Sequence, residues 1–153
     1  MPKRKLWVVV ADGARLRIFR PDAERRGLEV VHEELYAPAR MKGSELLADR
    51  PGRTYDSTHD KGRHAMEPDT DPKRVEKEKF AFRISELLEE GLNNGQYGEL
   101  VLVAAPRMLG DLRTALSDRV RSCIVEEVDK DLTWLPHPEL EERLRPVIWP
   151  TTA

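Results

Sequence analysis

The sequence predicts an α/β domain built on a five-stranded mixed sheet, and three observations predict it. Residues 6–11 and 100–105 are continuously apolar, as expected of strands covered on both faces. Asp12-Gly13 follows the first of these runs and turns the chain back into a hairpin. Phe80, Ile84, Leu87, Leu88 and Leu92 then recur at helical spacing, which marks one buried helix face ahead of the second apolar run.

The elements follow in order. Asp-Gly suits a two-residue hairpin turn with positive φ, so the first turn is placed there. The return strand, residues 14–20, alternates basic and apolar side chains, so one of its faces reaches solvent. Residues 21–27 form a polar turn, and residues 28–35 a third strand of mixed polarity, nearer an edge. Residues 43–71 lack apolar periodicity; a stretch of that length within one core is uncommon unless it is functional. Asp71-Pro72 supplies an N-cap and a proline at the first helical position, and Asn93-Asn94-Gly95 stops the helix. After the fourth strand, residues 100–105, a short helix opens at Pro106 with Met108, Leu109, Leu112 and Leu116 inward. Residues 122–128 form the fifth strand, and Pro136-His137-Pro138-Glu139 begins a last short helix ending at Leu144. The tail through Val147-Ile148-Trp149 is expected to cover an open edge. With right-handed crossovers into the last two strands, the strand order becomes 3-2-1-4-5. That is the order of the three-layer ribonuclease-H-like fold, here as a single domain over residues 1–153 with a long loop at 43–71.

Composition narrows the function. A net charge of −2 is not that of a dedicated nucleic-acid binder, but residues 1–30 carry eight Lys or Arg against four acids, which leaves room for one basic face. The single cysteine, Cys123, excludes an internal disulfide and is expected to be a buried structural thiol. No run approaches the ~20 apolar residues of a membrane helix. Lys3-Arg4-Lys5 precedes too short an apolar stretch for a signal peptide. A cytoplasmic protein without a membrane partner is expected.

The C-terminal ends of the central strands should gather Asp12, Arg107, Asp129, Lys130 and Asp131 on one edge, where ligands of open α/β sheets bind. Asp12, Asp129 and Asp131 could hold metal ions for a hydrolase, but the strand ending Ala104-Ala105-Pro106 adds no acid. The alternative is that Asp12 serves its turn while Asp129 and Asp131 cap a loop. Arg107, at a helix N-terminus after a buried strand, could grip a phosphate or simply pair with Asp111. In the long loop, Arg50, Arg53, Lys61, Arg63 and His64 could track a phosphate backbone. The His spacing matches no zinc pattern. The residues assign no catalytic group, no metal and no cofactor.

Several segments resemble the bacterial host attachment protein family: residues 7–15 (WVVVADGAR), 49–53 (DRPGR), 62–67 (GRHAME), 105–110 (APRMLG) and 128–133 (VDKDLT). The resemblance implies a role in attachment of a bacterium to host cells, which names a phenotype and no chemistry. That family is similar to the middle domain of archaeal and eukaryotic class 1 release factors and of Pelota. The resemblance places the loop where release factors carry their Gly-Gly-Gln tripeptide. The only glutamine here is Gln96, at the far end of the helix, so peptidyl-tRNA hydrolysis is not implied. Contact with the ribosome, tRNA or other RNA through an Arg-rich mobile loop is the first expectation. A metal-dependent hydrolase and a protein–protein interaction module are the alternatives.

Overall fold

The computed structural model describes residues 5–36 and 72–150. Within them the chain runs β1 (Leu6–Ala11), β2 (Arg15–Asp22), β3 (Gly27–Leu35), α1 (Pro72–Asn93), β4 (Glu99–Val103), α2 (Pro106–Ala115), α3 (Asp118–Arg121), β5 (Ile124–Val128) and α4 (His137–Ile148). The strands form one mixed sheet in the order β3-β2-β1-β4-β5. The two apolar strands lie side by side and parallel at its centre, with Leu6 opposite Glu99 and Val10 opposite Val103. β2 and β3 extend one side antiparallel, and β5 adds to β4 in parallel on the other.

Because strand side chains alternate between faces, each central strand feeds two cores. Trp7, Val9, Leu100 and Leu102 pack under α1 and α2 with Phe80, Ile84, Leu88, Met108 and Leu112. Leu6, Val8, Val101 and Val103 pack on the opposite face against Leu132, Leu135, Leu140, Leu144 and Ile148. All six residues of β1 are buried, which is why that strand reads as an unbroken apolar run.

Several expectations need correction. Neither Asp12 nor Gly13 has positive φ; among the described residues only Arg26 and Gly95 do. Ala11 pairs with Leu16 and the Asp12 N–H donates to the Arg15 carbonyl (3.0 Å), so Gly13-Ala14 forms the turn. Gly13 is needed for close approach instead, since a Cβ there would lie 2.7 Å from Cγ of Lys77. Residues 118–121 form α3, capped by Ser117, whose Oγ accepts from the Val120 N–H (3.2 Å); the fifth strand therefore begins at Ile124. The last helix does not stop at Leu144. It continues through Pro146 to Ile148, because Leu140, Leu144 and Ile148 form one buried stripe that outweighs the proline's missing donor. The tail thus covers a sheet face, not an edge. Cys123 is only partly buried against the α1–α2 core.

Gly91, inside α1, lets that helix approach the sheet closely. Trp7 and Tyr97 stack with centroids 4.8 Å apart, and a Cβ on Gly91 would sit 2.6 Å from the Trp7 ring. Burial pushes the Tyr97 phenol well above its ordinary pKa, and its hydroxyl donates to the Leu88 carbonyl at 2.6 Å. Gly91→Ala is therefore expected to destabilise by about 1–3 kcal/mol, against the ~1 kcal/mol that helix propensity alone would gain. A raised denaturation midpoint would show that the indole can move aside.

Candidate functional site

The C-terminal ends of β1 and β4 and the first two turns of α1 and α2 border a cleft of about 330 Å³. Its walls carry Lys73, Arg74 and Lys77 from α1, Arg107 from α2, and Asp12, Asp111 and Asp131. Arg74 and Asp111, with side chains 14% and 13% exposed, form an ion pair that ties α1 to α2. Asp111 is therefore taken, and Arg107 has no ion-pair partner among the described residues. Lys77 also lacks one there, and its stem lies across Gly13. The first turn of α2 has no acidic residue, and its N-cap, Ala105, offers no side-chain acceptor. The positive end of the helix dipole thus adds to the cations beside it.

The acidic side of the cleft is a structural latch. Asp12 Oδ1 accepts the N–H groups of Ala14 (2.7 Å) and Arg15 (2.6 Å), while Oδ2 faces the hydroxyl of Thr133 at 2.8 Å. Thr133, 1% exposed, also lies 2.8 Å from Asp131 Oδ1. The structure so brings Asp12 and Asp131 together through one hydroxyl, whose single proton serves one carboxylate at a time. Asp129 and Lys130 stand exposed on the same connection. Among the described residues no group of three or more His, Cys, Asp or Glu is placed to hold a metal ion.

A second groove opens on the other side of this latch, lined by Arg15, Arg17, Glu33, Glu34, Leu35 and Trp134 among others. Arg15 and Arg17 donate to the Thr133 carbonyl at 3.1 and 3.2 Å, and Arg17 to that of Leu135 at 2.7 Å. Two hydrogen bonds from Arg83 hold the Glu34 carboxyl below its usual range against the opposing effect of burial, with His32 assisting.

Arg50, Arg53, Lys61, Arg63 and His64 lie outside the described residues. Lys73, Lys77, Thr133 and Trp134 are what the sequence reading missed. A signal for Lys73 exists: α1 opens with Lys73 and Arg74 and without an acid, where the helix dipole disfavours cations.

Fold and cleft together define an α/β domain with an open cationic edge on its central sheet. The chain belongs to the family described as "Protein required for attachment to host cells", whose model matches residues 7–144. It is also 34% identical over 69 residues to the uncharacterised protein RP470 of Rickettsia prowazekii (strain Madrid E), a match covering 44% of this chain and 46% of that one. The chain thus aligns with less than half the length of that relative. Among the described residues no helix is long and apolar enough to cross a membrane.

Proposed function

We propose that this protein is a non-enzymatic, cytoplasmic binding domain that contacts RNA, free or within a ribosome, through the cationic cleft. The observation that carries the reading is that Lys77 and Arg107, from two different helices, open onto one cleft and pair with no described carboxylate. Cations that form no ion pair with a described carboxylate remain available to phosphate oxygens, and a guanidinium can grip two of them at once.

The described chain on either side of the arginine-bearing stretch ends beside this cleft. The chain enters that stretch beside Ala14, whose carbonyl accepts the Tyr36 N–H (2.7 Å), and leaves it at Pro72, next to Lys73. Ala14 and Lys73 both line the cleft, and we propose that Arg50, Arg53, Lys61, Arg63 and His64, which lie between these flanks in sequence, add to the same RNA contact. In this reading the RNA is ribosome-linked, as the resemblance of the family to the release-factor middle domain and to Pelota implies, and the missing Gly-Gly-Gln leaves contact without hydrolysis.

The test is fluorescence anisotropy with labelled RNA over a salt series. Log affinity should fall linearly with log salt, and the Lys77→Ala/Arg107→Ala double variant should bind more weakly with a slope shallower by about one to two. Its thermal midpoint should hold or rise, because neither residue has an ion pair to lose among the described residues and Arg107→Ala removes a cation from a helix N-terminus. No binding, or binding indifferent to salt, would refute the proposal.

A further inference from the structure

Trp134 is 67% exposed, yet hydrogen bonds hold the connection on both sides of it. Its indole N–H donates to the Asp131 carbonyl at 2.9 Å. Its neighbours Thr133 and Leu135 are buried at 1% and 5%, and Arg15 and Arg17 reach from β2 to grip the carbonyls of both. A large aromatic ring is thus held out to solvent on a connection pinned from both sides. Arg15, beside it in the groove, pairs with no described carboxylate. The acids opposite are already engaged, Glu33 with Arg17 (3.4 Å) and Glu34 with Arg83 (3.0 Å). Asp131 joins the two features, since its carbonyl fixes the indole and its side chain lines the cationic cleft.

We infer that Trp134 is a stacking platform for an unpaired base whose flanking phosphates are taken by Arg15 on one side and Lys77 and Arg107 on the other, so that the RNA bound is single-stranded. The inference rests on the cleft being a phosphate site. A base offers its π-face to a side chain only when it is free of its own stack, and each such stack strengthens single-strand binding substantially. A protein partner fits less well, because within the groove only Leu35 adds a large exposed apolar surface to the indole.

The experiment compares an unstructured oligouridine with a blunt RNA duplex, using the full chain and its Trp134→Ala and Trp134→Phe variants. Trp134→Ala should weaken oligouridine binding about five- to hundred-fold and leave the duplex unchanged, while Trp134→Phe retains most of the affinity. Oligouridine should quench the indole emission of the parent protein but not that of Trp134→Phe, in which the buried Trp7 and the partly buried Trp149 remain. Oligouridine affinity within two-fold of the parent in Trp134→Ala, an equal loss on the duplex, or quenching that persists in Trp134→Phe would overturn the platform. With the Lys77/Arg107 losses intact, those results leave the phosphate cleft standing. Absence of RNA binding by the parent protein overturns both.

Discussion

Leu102→Ala is expected to lower the unfolding free energy by about 2–5 kcal/mol. Leu102 is fully buried in β4, flanked by Val9 on β1 and Glu127 on β5, and packs in the core beneath α1 and α2. Truncation removes three carbons' worth of burial and leaves a void that neighbours on both sides cannot close, since β1 and β4 are also packed on their other face. The check is urea denaturation, with the midpoint falling and the m-value unchanged. Val125, 47% exposed on the outer strand, provides the contrast: its truncation should cost less than about 1 kcal/mol. Equal losses at the two positions would contradict a central β4.

That contrast is also what made the sheet legible in sequence. Two unbroken apolar runs can be covered on both faces only at the centre, and the hairpin and the helical connection then leave little freedom in strand order. The misplacements share one cause, namely that a side chain or a distant contact did what local propensity assigns to backbone. Asp12 shapes its turn by accepting hydrogen bonds, so Gly13 has no need of positive φ. Pro146 stays helical because Ile148 continues a stripe begun at Leu140.

The cleft was half legible for the same reason. Arg107 stands where a helix starts after a buried strand, a feature local in sequence. That Asp111 pairs with Arg74 and so leaves Arg107 without an ion-pair partner among the described residues depends on how α1 crosses α2, which no periodicity encodes. Likewise the stem of Lys77 lies across Gly13, where a side chain would press against it. Thr133 looks like an ordinary loop threonine until Asp12 and Asp131 are found on either side of its hydroxyl.

Asp12 provides the sharpest discrimination between a structural and a catalytic edge. Asp12→Ala should cost about 2–4 kcal/mol, because it strips the acceptor from two turn N–H groups and one from the buried Thr133 hydroxyl. Asp12→Asn should cost under about 1 kcal/mol. The asparagine oxygen keeps both turn N–H groups, and its amide donates to Thr133 Oγ1, freeing the hydroxyl proton for Asp131. The charge itself is then dispensable to the fold, and its removal makes the cleft wall more positive, so RNA affinity should hold or rise. A carboxylate that held a catalytic metal would behave oppositely: the amide would keep the fold and lose divalent-cation binding by calorimetry. Denaturation, RNA anisotropy and cation titration on the same two variants therefore separate the roles, and a cation bound by the parent but not by Asp12→Asn would return the sheet edge to hydrolytic chemistry.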